Sequence, residues 1–295
     1  MEPEEEPDER GNGGGLLNAN DILLAMHASA AELAEAESMK DRMQAVRERA
    51  GNPEGVEIVE QDGMLRLFSR SMPWPQFNTV KGVHEGVLER LDDLERYYRE
   101  RERPVRLELS PQRITSALLQ ELGRRGYRTA ALHAGLYRLF APKEAGIEVE
   151  PSSGSGLTIR QAGLADAEAY ARIHCLSTGL GESGIPSVRA NNEVLMERPG
   201  WSFWIAERDG EPAAVGVMRI SGGAANLSFA ATLPEERGRG LQQALLLARL
   251  EAARAAGCLI AVSQCEPYSI SMRNMQRCGM RLAFIRPHLM LPHHP

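Results

Sequence analysis

The run Arg237-Gly238-Arg239-Gly240 has the residue types and spacing of an anion-binding turn. Its glycines leave backbone N–H groups open to a ligand, and its arginines add positive charge beside them. An apolar-periodic segment follows from Leu241 and ends at Gly257, which predicts a helix. The first turn of a helix has unpaired N–H groups and the positive end of the dipole, so it suits a phosphate or pyrophosphate. An ordinary surface turn is the alternative, because glycines two apart are a weak motif alone.

The elements that surround this turn recur in both halves of the chain. Asp62-Gly63 interrupts one alternating apolar pattern and Asp209-Gly210 interrupts another, which predicts a β-hairpin at each position. Farther on, residues 126–128 and 279–281 each follow a strand–helix pattern with Gly, a large residue and Arg. Because matching positions are separated by nearly the same length of chain, we interpret them as a degenerate tandem repeat. Chance similarity of two α/β segments is the alternative.

A hairpin followed by helix–strand–helix–strand in each half predicts an α/β (α+β) fold with two mixed, mostly antiparallel sheets flanked by helices, in tandem. We expect an unstructured acidic and glycine-rich tail at 1–15, a first domain at 16–145, a linker at 146–156 and a second domain at 157–295. In the second domain we expect strands near 157–161, 202–208, 212–220, 225–233, 258–264 and 281–290. Helices are expected there near 164–177, 187–197, 240–256 and 269–278.

Composition excludes several classes of function. The net charge is −6 and no basic stretch is dense enough to follow a phosphate backbone, so we expect no nucleic-acid partner. No apolar run approaches the ~20 residues of a membrane span, and the N-terminus lacks signal-peptide features, so we expect a cytoplasmic protein. The four cysteines match no metal-binding spacing. We therefore expect no metal and interpret the cysteines as free buried thiols, with disulfides or catalysis as alternatives.

The segment 231–246, ATLPEERGRGLQQALL, resembles motif A of the GNAT superfamily of N-acetyltransferases. Arg237 and Gly240 match the first two fixed positions of its Arg/Gln-x-x-Gly-x-Gly/Ala pattern, whereas Gln242 stands where Gly or Ala is usual. The segment 265–291 is similar to the end of GNAT domains, and its Ser-x-Ser-x-Arg-Asn-x-x-Arg-x-Gly form resembles a bacterial subgroup with two GNAT-like halves, the first degenerate. The resemblance covers most of 157–295 and, more patchily, about 55–140.

This resemblance implies that acetyl-CoA is the acyl donor, with pantetheine in a gap between the strand before motif A and the next strand. The implied cofactor-binding residues are Ala231, Thr232, Leu233, Arg237, Gly238, Arg239, Gly240, Leu241, Gln242 and Asn274. Asn274 would help to hold the pantetheine arm or the phosphates; a solvated or capping role is its alternative. In the first half, residues 80–86 are interpreted as the matching helix entrance. Glu85 stands there where a phosphate would sit, so we expect that half to have lost cofactor binding.

The residues that would move protons are not fixed by the resemblance. Ser228 and Met275 occupy the positions where the family often has Glu and Tyr. Near the implied gap we predict Glu266 as the base that accepts the amine proton and Tyr268 as the acid that protonates the thiolate. Their alternatives are an exposed loop acid and a packing tyrosine. His174 is interpreted as an ordinary half-buried histidine, with a catalytic base as its alternative, and Glu182 as a solvated loop acid, with a contact to the acceptor amine as its alternative.

The sequence therefore predicts an acyl-CoA-dependent N-acetyltransferase that moves an acetyl group to an amine by direct attack. A small-molecule amine, an aminoglycoside-like compound and a protein amine all fit as the acceptor, and the oligomeric state is open, a homodimer included. A non-catalytic acyl-CoA-binding regulatory protein is the alternative function, because the usual Glu and Tyr are missing. An unrelated enzyme with a phosphate-binding turn is a third.

Overall fold

A computed structural model describes residues 19–72, 74–140 and 156–292. The predicted tail and all of the predicted linker except Gly156 lie outside these ranges. The helices are α1 (Ala19–Arg47), α2 (Leu91–Arg99), α3 (Ser116–Arg124), α4 (Ala167–Thr178), α5 (Ile185–Met196), α6 (Leu241–Ala255) and α7 (Ile270–Arg277). Even α1, with 29 residues, is not apolar enough to cross a membrane, and the same holds for every other helix in the described ranges.

The strands form one sheet of eleven. They are β1 (Glu57–Gln61), β2 (Met64–Phe68), β3 (Thr79–Val83), β4 (Val105–Leu109), β5 (Arg128–Leu139), β6 (Leu157–Ala162), β7 (Trp201–Arg208), β8 (Glu211–Ser221), β9 (Ala224–Thr232), β10 (Ile260–Cys265) and β11 (Arg281–Leu291). Their order is β1-β2-β3-β4-β11-β5-β10-β9-β8-β7-β6. Among the strands of the described residues, only the β3–β4 and β9–β10 pairs are parallel. The predicted mixed, mostly antiparallel sheet flanked by helices is confirmed.

The two Asp-Gly hairpins form as the sequence predicts. Asp62 and Asp209 adopt φ values of 53° and 51°, and the following Gly63 and Gly210 are also left-handed. Positive φ at both central residues is the geometry of a two-residue hairpin whose twist matches that of its strands. The turns therefore set the register of β1 on β2 and of β7 on β8.

The two halves are joined because each one's last strand pairs with the other half. β5, the last strand of the first half, lies between β10 and β11 and is antiparallel to both. β11, the last strand of the second half, lies between β5 and β4. Each half therefore depends on the other to complete its sheet, and the sheets predicted in tandem form one continuous layer.

Helices cover both faces of this sheet. Along β8, Val215 and Val217 pack in the cluster that contains residues of α4 and α5, whereas Ala214 packs with α6. Since alternate residues of a strand point to opposite faces, α4 and α5 lie on one face and α6 on the other. α1 shares the face of α4 and crosses both halves: Ala28 packs near β5 and β10, and Met43 packs near β2.

A buried group of four charges, here called the ion cluster, lies where α1 crosses the first half. It consists of Glu35, Lys81, Glu108 and Arg286, which come from α1, β3, β4 and β11. Lys81 Nζ lies 2.8 Å from Glu35 and 2.6 Å from Glu108. Arg286 Nη2 lies 2.8 Å from Glu108 and also contacts Glu35. Burial raises carboxyl pKa values, but the two cations hold the pKa of Glu35 and of Glu108 below the usual range.

Replacing one member of the ion cluster is expected to destabilise the fold strongly. Glu108→Gln keeps the shape of the side chain but removes a carboxylate that is 3% exposed and shared by Lys81 and Arg286. Breaking such a pair leaves a buried cation short of a partner, so we expect a loss of about 3–5 kcal/mol in the free energy of unfolding. Urea denaturation at pH 7 measures it. Glu100→Gln, at an exposed ion pair with Arg101, is the control and should cost no more than about 1 kcal/mol. An equal loss in the free energy of unfolding for Glu108→Gln and Glu100→Gln would contradict the structural role assigned to the ion cluster.

Candidate active site

Strands β9 and β10 separate partway along their length and form a fork. Their parallel pairing runs from Ala224 opposite Ile260 to Leu227 opposite Ser263 and ends there, within the described residues. At the fork point, Ser263 Oγ donates a hydrogen bond of 2.9 Å to the carbonyl oxygen of Leu227. Beyond it, β9 stays paired with β8 up to Thr232. The other backbone edge of β9 therefore faces the open fork.

A β-bulge in β9 coincides with the fork. On β8, Val217 is opposite Phe229 and Arg219 is opposite Asn226, so β9 has one residue more than β8 between these pairs. Arg249, buried on α6, donates to the carbonyl oxygens of Val217 and Phe229 at 3.0 and 3.1 Å. Burial lowers the pKa of Arg249 to about 10, so it is still charged at neutral pH. Arg249 fixes the bulge, and sequence reasoning missed it.

The glycine turn predicted to bind an anion lies at the end of β9, at the N-terminus of α6. Gly238 and Gly240 have φ values of 77° and 80°, and within the described residues no heavy atom beyond the adjacent residues of the chain lies within 4 Å of the place where a Cβ would stand on either. The first backbone hydrogen bond of α6 joins Ala244 N to Gly240 O, so the N–H groups just before it have no partner within the helix. Arg237 donates to Ser177 O and Thr232 O at 3.1 and 3.3 Å and braces the turn. The arrangement fits a pyrophosphate.

Two predicted cofactor-binding side chains meet beside this turn. Asn274 Nδ2 donates to Gln242 Oε1 at 2.8 Å, and Gln242 Nε2 donates to Ser271 Oγ at 2.9 Å. Gln242 thus links α6 to α7, which gives a structural reason for a long side chain where the family usually has a small one. Met275, at the family's tyrosine position, is buried in the core and has no proton to donate.

A cavity of about 70 Å³ lies at the fork on the face covered by α1. The lining residues come from α1 and three strands: Glu35, Ser38, Met39, Arg42, Trp201, Asn226, Ser228 and Gln264. Gln264 Oε1 accepts a 3.0 Å hydrogen bond from Arg286, which connects the fork to the ion cluster. The sequence pattern did not predict α1, so the wall that α1 forms at this cavity was not foreseen.

The residues predicted to move protons lie at the rim of the fork. Glu266 and Tyr268 follow β10 directly, and both are exposed, Tyr268 to 86%. Their roles stay a prediction. His174 stacks on Phe229 with 4.3 Å between ring centroids, and burial, with a smaller contribution from Arg42, lowers its pKa to about 4. His174 is therefore neutral at pH 7 and a weak base. Glu182 is exposed and pairs with Arg172 at 3.1 Å.

The corresponding strands of the first half do not separate. The β3–β4 pairing continues to Val83 opposite Leu109, and Ser110 N donates to Val83 O at 2.8 Å. The interpretation of residues 80–86 as a helix entrance is corrected: β3 includes residues up to 83, and a 3-10 helix begins at 85. His84 Nδ1 accepts from the N–H of Gly86, so a side chain of the protein already caps this helix.

Comparison with known proteins points to one family. Residues 174–280 match the model of the acetyltransferase (GNAT) family. Among solved structures, a GCN5-related N-acetyltransferase from Kribbella flavida is similar, with 17% identity over 90% of this chain and 96% of that one (TM-score 0.59). A tandem GNAT protein from the clavulanic acid biosynthesis pathway has 13% identity over 94% and 97% (TM-score 0.59).

A GCN5-related N-acetyltransferase from Sphaerobacter thermophilus has 16% identity over 65% of this chain and 61% of that one (TM-score 0.53). This chain therefore spans less than two thirds of that protein. A search of curated proteins finds no significant match. At these identities the structural similarity establishes the fold, and the family match over residues 174–280 supports acetyl transfer from acyl-CoA in general.

Gly240→Glu is expected to weaken acetyl-CoA binding by at least about 100-fold, because its carboxylate would enter the space left for the pyrophosphate. Gly257→Glu is the matched control, since Gly257 has a φ of 75°, equally open surroundings and a place at the other end of α6. Both variants carry a similar backbone strain. Calorimetry should show near-normal affinity only for the Gly257 variant. Normal affinity in a folded Gly240→Glu protein would contradict the assignment of the turn.

Proposed function

We propose that the protein moves the acetyl group of acetyl-CoA to an amine by direct attack, because residues 174–280 match the model of the acetyltransferase (GNAT) family. The observation that supports this proposal best is the fork between β9 and β10, which opens beside the glycine turn of α6. It combines a free strand edge for an extended amide-bearing arm with an anion site at a helix N-terminus.

The residues proposed to hold the cofactor border the fork and the glycine turn. The backbone of Ala231, Thr232 and Leu233 would line the pantetheine arm, with the Leu233 N–H already donating to Ala213 O at 3.0 Å. The N–H groups from Gly238 to Gln242 would bind the pyrophosphate. Arg239 is half exposed and only loosely paired with Glu236, at 3.6 Å, so it can turn toward a phosphate. Asn274 lies within hydrogen-bonding distance of Gln242 at the same turn. Bound acetyl-CoA supplies an acetyl thioester, whose carbonyl carbon the amine attacks.

The acceptor would reach the fork through the cavity beneath α1. Glu35 is a poor base there, because Lys81 and Arg286 already share its carboxylate and its pKa is far below the usual range. Gln264 and Ser228 place uncharged polar groups at the fork. The proposed proton acceptor and donor are Glu266 and Tyr268 at the rim, reached through water. No covalent intermediate on a cysteine is needed.

The first half would support this site without binding cofactor. Its own strands stay paired where β9 and β10 separate, and its helix entrance is capped by His84. Its contributions are α1, which forms the wall of the cavity, and β5, which completes the sheet beside β10.

The proposal is tested by thiol release from acetyl-CoA with a panel of amines that includes amino acids, polyamines, aminoglycosides and lysine peptides. We expect at least one amine to raise the rate well above hydrolysis and to yield an N-acetyl product by mass spectrometry. Tight acetyl-CoA binding without turnover of any amine would instead support a non-catalytic acyl-CoA-binding protein.

Glu266→Gln is expected to lower kcat by about 10²-fold or more with little change in acetyl-CoA affinity, since general-base catalysis usually contributes 10²–10⁴. Tyr268→Phe should lower it less, because a thiolate is already a tolerable leaving group. Glu235→Gln, an exposed acid near the glycine turn, is the control and should keep the wild-type rate. Wild-type rates for both rim variants from pH 6 to 9 would contradict these roles and show that Glu266 and Tyr268 are structural.

A further inference from the structure

Arg42 on α1 is a cation held in place inside the cavity at the fork. Its guanidinium carbon lies 4.9 Å from the ring centroid of Trp201, and its Nη1 donates to Asn192 Oδ1 at 3.1 Å. Both partners are fixed themselves. The Trp201 indole donates to Asp41 at 2.7 Å, and the Asn192 amide donates to Val188 O at 2.7 Å. The side chain is therefore positioned before any ligand arrives.

The charge of Arg42 is not balanced within the described part of the chain, where no carboxylate oxygen lies within 4.0 Å of its guanidinium. Glu35, the other charged residue of the lining, is already shared by Lys81 and Arg286. Asp41, adjacent in sequence, binds Arg198, Arg219 and the Trp201 indole. Arginine stays protonated in proteins, so the lining as a whole carries an unmatched positive charge.

We propose that Arg42 binds the carboxylate of the acceptor, and hence that the substrate is a small amine that also carries a carboxylate, such as an amino acid. A planar guanidinium with unused N–H groups matches a carboxylate in shape and charge. Ser228 and Gln264 lie in the same cavity at the fork, so an amine near them and a carboxylate on Arg42 suit a short molecule. The inference rests on the proposed function, because it identifies the acceptor of that reaction.

Charge disfavours a polycationic acceptor, and the cavity, of about 70 Å³, admits a small polar group such as a carboxylate. A polycationic aminoglycoside would place further positive charge against Arg42.

The test measures binding of product-like probes by calorimetry to the full chain saturated with coenzyme A. The probes are matched pairs, N-acetylglycine with N-acetylglycinamide and N-acetylalanine with N-acetylalaninamide. In the wild-type protein we expect at least one acid to bind about tenfold or more tightly than its amide, as for hydrogen bonds between charged groups. Arg42→Gln should abolish this preference, and Arg42→Lys should keep part of it.

Arg47→Gln, an exposed arginine on the same helix, is the control and should keep the full preference. Coenzyme A affinity is measured for every variant, so that a folding defect is seen separately. Equal binding of acid and amide, no binding of any probe, or an unchanged preference in Arg42→Gln would each overturn the carboxylate site while leaving the acetyltransferase proposal intact. If the wild-type protein does not bind coenzyme A at all, the proposed function itself is overturned.

Discussion

The ion cluster of Glu35, Lys81, Glu108 and Arg286 is the interaction on which the rest of this structure depends. Burying four charges is costly, and an apolar cluster could hold the same elements together at least as well. The charges instead fix the relative positions of the elements that carry them, because each cation must lie between two particular carboxylates. They join β3 and β4 of the first half to β11 of the second and hold α1 across the sheet. Arg286 also fixes Gln264 at the fork, so the geometry of the cavity follows from this cluster.

The same arrangement of strands is open in one half and closed in the other. In the second half, a bulge in β9 held by Arg249 accompanies the separation of β9 from β10, and glycines leave the start of α6 uncovered. In the first half, Lys81 and Glu108 pair across β3 and β4, and His84 caps the following helix. Exchange of β5 and β11 then ties the closed half to the open one. One half would bind the cofactor while the other supplies rigidity and one wall of the acceptor cavity.

Most of the local structure could be predicted from the sequence. Asp62-Gly63 and Asp209-Gly210 predict their hairpins because the turn geometry depends only on these two residues. The glycine turn before Leu241 likewise predicts the start of a helix. Pairing between β5 and β11 has no such signal, since an exchanged strand has the same alternating pattern as any other. From the sequence alone, Arg249 looks like an exposed cation on a helix surface, because the β9 bulge whose carbonyl groups it binds cannot be predicted. α1 was missed although it forms the wall of the cavity, and Arg42 could not be recognised as a site residue without Trp201 and Asn192 around it. The roles of Glu266 and Tyr268 stay predictions, because an exposed position at the rim does not establish that a residue takes up or donates a proton.

Hydrogen exchange of the full chain with and without acetyl-CoA, combined with calorimetric stoichiometry, tests the central claim most directly. The account predicts one equivalent of acetyl-CoA per chain, with slower amide exchange in residues 228–243 and at the start of α7. Exchange in residues 79–90 of the first half should not change, because its strands are already paired and its helix is already capped. A second equivalent, or protection of residues 79–90 in place of the fork, would contradict the assignment of one open half and one closed half.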